Sequence, residues 1–135
     1  MPKGAGEPAL KPGMVVETSI TVTETLTAQH MGSGRRRVLA TPALVALMEA
    51  AAQEMVEANV PEGWESVGIG IELVHDAMTP VGMKVAIRAE LVQFDGKEAV
   101  FDVSAQDEQG PVGHGRHRRR LARTRALERM IRQKP

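Results

Sequence analysis

Residues 41–57 read Thr41-Pro-Ala-Leu-Val-Ala-Leu-Met-Glu49-Ala-Ala-Ala-Gln-Glu-Met-Val-Glu57, the one stretch that predicts a long helix and the stretch that decides the fold. The Thr41 hydroxyl can cap the first turn, and Pro42 suits the first helical position, where a missing N–H removes no hydrogen bond. We therefore expect one long helix beginning at about Thr41.

At about 100° per residue, the apolar side chains of this helix fall in one wide stripe. The stripe comprises Leu44, Leu47, Met48, Ala51 and Met55, widened by Val45, Ala52 and Val56. The polar residues Gln53, Glu54 and Glu57 fall on the opposite side. Glu49 falls at the border between the apolar stripe and the polar side, so its side chain could face either water or a half-buried pocket.

The composition bounds the class of protein. A chain of 135 residues predicts one domain with a small core, which must be aliphatic because the chain has two Phe, one Trp and no Tyr. The absence of cysteine excludes disulfides, thiolate metal sites and a cysteine nucleophile. The chain start has no apolar signal segment, and no apolar run approaches the ~20 residues of a membrane span. We expect a cytoplasmic protein without membrane contact.

The net charge is zero, but it is unevenly distributed. Residues 111–135 carry nine Lys and Arg against Glu128 alone, a net charge of +8, so residues 1–110 carry −8. A basic segment therefore follows an acidic body. The phosphates of a small ligand, RNA and plain solvent are all possible surroundings for such a segment.

The pattern along the chain predicts three segments. Residues 1–13, rich in Pro and Gly, are a flexible lead-in; residues 14–123 are a single domain; residues 124–135 are a basic tail with a short helix. Strand alternation begins at Met14, before the helix, and resumes after it in four further strands, with a hairpin turn at Asp95-Gly96. In the strand that follows the helix, the predicted inward face comprises Val67, Ile69, Ile71, Leu73 and His75.

One strand, one helix and four strands joined by tight turns predict an α+β protein. About five antiparallel strands form a curved sheet that wraps closely around the alanine-rich central helix, which is the plan of the hot-dog fold. The lack of helices between the later strands excludes a doubly wound parallel sheet.

Without Cys and Tyr, the candidates for chemistry are Thr41, Glu49, Asp76 and four histidines. His75 is the most informative, because its strand face points at the helix that carries Thr41 and Glu49. A carboxylate beside an imidazole can orient the ring, and either group can act as a general base. A hydrogen-bonded core histidine is the alternative interpretation.

Helix geometry separates two of these groups. Eight residues rise about 12 Å along a helix, so Thr41 and Glu49 cannot share a hydrogen bond of about 3 Å within one regular helix. Either the chain bends at Thr41, or a second subunit completes the site. We expect a homodimer or a higher homo-oligomer.

The spacing Thr41-(x)7-Glu49-(x)25-His75, followed by Thr79-Pro-Val-Gly82, resembles the fluoroacetyl-CoA thioesterase family of hot-dog thioesterases. Residues 46–49, Ala-Leu-Met-Glu, are similar to the family's Gly-Leu-Met-Glu, and the resemblance covers roughly residues 12–125. It implies that Thr41, Glu49 and His75 form the catalytic group and that Gly68 lies at the site. The stretch of residues 113–119 resembles a family stretch of Gly, His and Arg, which implies a supporting role for Arg119 in substrate binding.

The resemblance implies an acyl-CoA thioesterase that needs no cofactor. We expect Glu49 to attack the thioester carbonyl or to activate water, with His75 holding Glu49 or protonating the thiolate. Thr41 positions the substrate, and the Gly68 N–H or the helix N-terminus faces the oxyanion. Gly68 has a second interpretation, as a small residue that lets a strand press against the helix.

One departure from the family concerns the segment between the first strand and the helix. The fluoroacetate-specific enzyme has a phenylalanine-rich lid there, whereas residues 27–40 contain no aromatic side chain. This difference predicts another substrate, a short or medium acyl-CoA. The alternative function is a non-catalytic hot-dog module that binds acyl-CoA as a sensor or carrier.

Arginine clusters supply candidate phosphate ligands. Arg35, Arg36 and Arg37, or the cluster at 116–120, could bind the phosphates of coenzyme A through forked donors. Nucleic acid is a weaker match, because no aromatic residues interleave with the arginines to stack bases. No metal site is expected, since His114 and His117 point to opposite faces of one strand without a carboxylate beside them.

Overall fold

The computed structural model describes residues 6–135, which form one curved sheet around one long helix. In chain order the elements are β1 (Val15–Thr21), a 3₁₀ turn (Glu24–Leu26), α1 (Ala28–Met31), α2 (Thr41–Ala58), β2 (Trp64–His75), β3 (Lys84–Phe94), β4 (Glu98–Asp107), β5 (Gly110–Arg123) and α3 (Thr124–Arg132). The strands lie in the order β1-β3-β4-β5-β2, and every neighbouring pair is antiparallel. Helix α2 packs against β1, β2, β3 and β4. The predicted α+β hot-dog fold is confirmed.

The core lies between α2 and the sheet. From the helix it receives Ala43, Leu44, Met48, Ala51, Ala52, Met55 and Val56, which are all buried. Complete burial of a side chain such as Leu44 or Met48 stabilises the fold by about 1.5–3 kcal/mol. The sheet contributes Val85, Ile87, Leu91 and Phe101 in the same layer, so the aliphatic core expected from composition is present.

The start of α2 differs from the prediction in one respect. The residue that caps the helix is Ala40, whose carbonyl accepts a hydrogen bond from the Leu44 N–H, and Thr41 is the first helical residue. The predicted cap by the Thr41 hydroxyl is wrong, because that hydroxyl is bonded to His75 instead. The predicted helix start at Thr41 is correct, but the hydroxyl of Thr41 bonds to His75 and not to the first turn of the helix.

A β-bulge in β2 changes which residues face the helix. Gly68 pairs with Arg119 and Gly70 pairs with Arg118, so Ile69 is an extra residue on β2. The bulge moves the inward face from even to odd positions, because strand side chains alternate with a period of two. Val67 and Ile69 are exposed rather than inward, which corrects the predicted face.

The two ends of the chain differ in how they pack. Of the predicted lead-in, residues 1–5 lie outside the described residues. Leu10 is buried in the core, and the Ala9 N–H donates to the Asn59 carbonyl, so this part of the lead-in packs on the domain. At the other end, α3 starts with the Thr124 N–H donating to the Gly63 carbonyl, and its apolar residues Met130 and Ile131 are exposed.

Candidate active site

Thr41 and His75 meet where the start of α2 lies beside the end of β2. The Thr41 Oγ1 is 2.7 Å from the His75 Nδ1. Burial lowers the pKa of His75, while the Ala77 backbone and the charge of Asp76 act in the opposite sense. The imidazole is therefore neutral at pH 7, and its buried Nε2 makes no hydrogen bond within residues 6–135.

A cleft of about 370 Å³ opens beside this pair. Thr41 and His75 line it together with Ala28, Ser33, Val38, Leu39, Ala40, Asp76, Ala77 and Met78. Residues 28–40 of this wall belong to the segment that joins β1 to α2, which is fixed by bridges from Thr27 to Leu39 and from Val38 to Pro80. Apart from Thr41 and His75, which can act on a carbonyl, the lining side chains are apolar except for Ser33 and Asp76.

Glu49 lies two turns further along α2, at a second cluster. Its Oε2 is 2.7 Å from the position that a Cβ would take on Gly68, so the carboxylate lies directly against this glycine. Glu49 is half-buried, and within the described part of the chain it makes no hydrogen bond or ion pair. The same Cβ position is 3.3 Å from the His117 Cε1 and 3.5 Å from the Arg119 Nη1, so the three groups are close. Burial lowers the pKa of both His117 and Arg119, and the negative charge of Glu49 acts against that lowering.

Arg119 is the fixed cation of this second cluster. It is 7% exposed, and its Nε donates to the Ser66 Oγ at 2.8 Å. Its Nη2 donates to the Gln53 Oε1 at 3.0 Å and to the Ser66 carbonyl at 3.3 Å, and its Nη1 lies 3.1 Å from the His117 Nε2. Burial lowers the pKa of Arg119, yet a guanidinium starts so far above neutrality that it stays charged.

The bulge of β2 brings both clusters to the same face of the sheet. Gly68 and His75 have opposite parity in the sequence, so in a regular strand they would lie on opposite faces. With Ile69 as the extra residue, Ser66 and Gly68 face α2 on one side of the bulge, and His75 does so on the other. Strand alternation had predicted the outward face for Gly68, whereas Gly68 faces α2 and lies against Glu49.

The two clusters do not touch within one subunit. His75 contacts Thr41 and not Glu49, so the expectation that His75 holds Glu49 is wrong for a single chain. Thr41 and Glu49 are eight residues apart in one uninterrupted helix, a rise of about 12 Å. The chain does not bend at Thr41 to close this gap.

The remaining predicted arginines lie at the surface. Arg35, Arg36 and Arg37 are exposed in the loop between α1 and α2, and Arg37 is paired with Glu24. On the outer face of the sheet, Arg116 pairs with Asp102 and Arg118 with Glu98. In this cluster only Arg119 points inward, because strand alternation places its neighbours on the other face.

His117, Ser66 and Gln53 are members of the second cluster that the sequence analysis missed. Gln53 had been placed on the polar side of α2, yet its side chain is half-buried against Arg119 and Ser66. One signal was available: His117 and Arg119 share the parity of the buried Leu121 on β5.

Within residues 6–135, no three His, Asp or Glu side chains are grouped as a metal site requires. In the same range, no helix has the length and apolarity needed to cross a bilayer.

The curved antiparallel sheet around one helix is the hot-dog fold, and the chain matches a family of thioester hydrolases with this fold. The model of the family described as fluoroacetyl-CoA-specific thioesterase matches residues 22–124, and the chain belongs to this family.

Individual relatives agree with this assignment. The fluoroacetyl-CoA thioesterase of Streptantibioticus cattleyicolor is 34% identical over 97 residues, which are 72% of this chain and 70% of the relative. A solved structure of fluoroacetyl-CoA thioesterase superposes with a TM-score of 0.86 at 28% identity, covering 94% of this chain and 98% of that one. A variant of that enzyme in complex with fluoroacetate and CoA gives a TM-score of 0.82 at 27% identity, over 87% and 99% of the two chains.

Proposed function

We propose that the protein hydrolyses a short or medium acyl-CoA thioester to the acid and free CoA, in a cytoplasmic setting. The observation that carries this proposal is the Thr41–His75 pair at a cleft whose other walls are mostly apolar, in a chain of the thioesterase family. A related enzyme has been crystallised with fluoroacetate and CoA. The cleft lacks aromatic side chains, which favours an aliphatic acyl group other than fluoroacetyl.

In the proposed mechanism, Thr41 and His75 act on the carbonyl oxygen. The His75 Nδ1–H donates to the Thr41 Oγ1, so the Thr41 O–H is free to donate to the thioester oxygen. Thr41 is the first residue of α2, where the unpaired N–H groups of the helix end add positive potential. Both contributions stabilise the negative charge that develops on this oxygen in the transition state.

Glu49 supplies the attacking group. Its carboxylate either attacks the carbonyl carbon, forming an anhydride that water hydrolyses, or removes a proton from the water that attacks. In both routes the C–S bond breaks and CoA leaves as a thiolate that takes up a proton. Because Gly68 has no side chain, the Glu49 carboxylate can occupy the space beside it. The guanidinium N–H groups of buried Arg119 donate to Ser66, His117 and Gln53, so we propose that its charge acts on Glu49 and not on the phosphates of CoA. Arg35, Arg36 and Arg37 are exposed and are proposed to bind those phosphates.

A dimer brings the two clusters together in this proposal. Strand β2 is at the edge of the sheet and is paired on one side only, by β5, over 11 of its 12 residues. A long unpaired edge is a template for strand pairing, and here it carries the exposed apolar residues Val67, Ile69 and Val74. Antiparallel pairing of two copies of β2 about a two-fold axis runs the Gly68 end of one strand toward the His75 end of the other.

Thiol release from a panel of acyl-CoAs, from acetyl to long-chain and aryl, tests the proposed function. We expect turnover on short and medium chains and its loss in Glu49→Gln and in His75→Ala. No turnover on any member, with CoA esters still bound, would contradict hydrolysis and would favour the non-catalytic module. Rapid quenching and mass spectrometry then separate the two routes: an acyl adduct on Glu49 identifies direct attack, and turnover without an adduct identifies activated water. An adduct on Thr41 would contradict both.

A further inference from the structure

His117 is a buried titratable group for which the proposed reaction has no use. It is 1% exposed on β5 and stacks on Phe101 with ring centroids 6.3 Å apart. Both of its ring nitrogens are engaged: the Nδ1 is 2.9 Å from the Gly70 carbonyl oxygen, and the Nε2 is 3.1 Å from the Arg119 Nη1.

The partners of His117 fix its protonation state. A carbonyl oxygen can only accept, so the Nδ1 carries the proton; a guanidinium can only donate, so the Nε2 is the acceptor. The ring is therefore neutral and in the Nδ1–H tautomer. Burial lowers the pKa of His117 and the charge of Arg119 acts in the same direction, whereas the Gly70 hydrogen bond and Glu49 act against them.

Both hydrogen-bond partners of His117, Gly70 and Arg119, lie beside the surroundings of the Glu49 carboxylate. The Gly70 carbonyl flanks the bulged residue Ile69 on one side, and Gly68, which lies against the Glu49 carboxylate, flanks it on the other. The Arg119 guanidinium is the fixed positive charge beside the same carboxylate. His117 thus connects the two structures that border Glu49, and it occupies the same small space, since its Cε1 is 3.3 Å from the Cβ position of Gly68.

We propose that His117 is a positioning residue for Glu49, which holds the β2 bulge with one ring nitrogen and the Arg119 guanidinium with the other. The proposal rests on the proposed function, in which Glu49 acts on the thioester. An imidazole suits this task because it places a donor and an acceptor on opposite sides of one rigid ring. An apolar residue here would leave a buried carbonyl and a buried guanidinium N–H without partners.

Two substitutions each preserve one of the two hydrogen bonds of His117 and remove the other. In His117→Asn the amide N–H replaces the Nδ1 donor to Gly70, and in His117→Gln the amide oxygen replaces the Nε2 acceptor for Arg119. We expect both to lower kcat by about 10- to 100-fold with little change in KM, because a shift of about 1 Å in a reacting group has an effect of this size. The control is His114→Asn on the same strand, where the side chain is exposed.

A double-mutant cycle separates positioning from a structural role. His117→Asn removes the acceptor for Arg119, so if His117 acts through Arg119 this substitution lowers kcat in the wild type but causes no further loss in Arg119→Lys. Equal loss in both backgrounds, or kcat within twofold of the wild type, would overturn the proposal. Should His117→Asn fail to fold, His117→Gln tests the other contact: it keeps the acceptor for Arg119 and loses the donor to Gly70, so its loss of kcat should persist in Arg119→Lys, and kcat within twofold of the wild type would overturn the proposal.

Side-chain NMR tests the positioning without any turnover. The wild type should show a neutral His117 in the Nδ1–H tautomer, and His117→Asn, which loses the contact with Arg119, should move the Glu49 carboxyl and Arg119 Nε resonances, whereas His114→Asn should not. If the wild type has no thioesterase activity, the proposed function fails, and these shifts alone decide the positioning role. Unmoved Glu49 and Arg119 signals would overturn it.

Discussion

Substituting Gly68 by alanine tests the arrangement of Glu49 most sharply. The new Cβ would lie 2.7 Å from the Glu49 Oε2, 3.3 Å from the His117 Cε1 and 3.5 Å from the Arg119 Nη1. An ordinary contact begins at 3.4 Å, so the carboxylate must move by about 0.7 Å. The closest atom is the end of a flexible side chain, so the backbone of β2 can stay in place.

The expected effects of Gly68→Ala on stability and on activity are of different size. Displacing Glu49 from its rotamer costs about 0.5–1.5 kcal/mol, and replacing glycine in a strand returns about 0.5–1 kcal/mol. The free energy of unfolding should therefore change by less than about 1 kcal/mol. The activity should fall by about 10- to 100-fold, because a misplacement of this size at a reacting group is sufficient.

Thiol-release kinetics and thermal unfolding, measured on the same samples, provide the assay. The control is Gly70→Ala, whose Cβ meets only the exposed side chain of Arg118, at 3.0 Å, and whose backbone carbonyl remains available to His117. We expect the control to keep its activity. If Gly68→Ala loses stability but retains activity within twofold, Gly68 serves only helix packing and the reasoning is refuted.

Three further predictions concern other parts of the molecule. Thr41→Val should lower kcat/KM by about 100-fold because it removes the donor to the oxyanion, whereas Thr41→Ser should retain most activity; equal loss in both would contradict the role of the hydroxyl. Gly115→Ala should lower the free energy of unfolding by about 1–3 kcal/mol or more in urea titrations, since its Cβ would lie against the Glu72 carbonyl and would force β2 away from β5; unchanged stability would contradict this packing. Thermal stability should fall as the pH drops from about 6.5, because the pKa values of half-buried His75 and buried His117 are lowered in the folded state and unfolding takes up protons in that range; a flat Tm between pH 7.5 and 5 would contradict it.

Local periodicity was sufficient to predict the fold. The apolar stripe of residues 41–57 defined α2, and strand alternation together with the turn at Asp95-Gly96 defined the antiparallel sheet. These features depend on residues close in sequence. The spacing of Thr41, Glu49 and His75 also pointed to the region where the two clusters lie.

The contacts within the second cluster could not be predicted from local periodicity, although the family resemblance had named Glu49, Gly68 and Arg119. A single bulged residue, Ile69, shifts the phase of β2, and nothing in the alternation of residues 64–75 marks where that shift occurs. Arg119 reaches Ser66 and Gln53 only because β5 pairs with β2 beside α2, a juxtaposition of residues more than 50 positions apart. Contacts of this kind follow from strand register, which tertiary packing determines.

Subunit complementation tests most directly the central claim that the Thr41–His75 pair and Glu49 form one thioesterase site across two subunits. Thr41→Ala and Glu49→Gln proteins, each inactive alone, are mixed under conditions of subunit exchange, and thiol release is measured. A shared site leaves one intact site in every mixed dimer, so activity should recover to about a quarter of the wild-type value after random mixing. No recovery, with mixed dimers present by native mass spectrometry, would mean that each subunit supplies all three groups to its own site and would contradict the account.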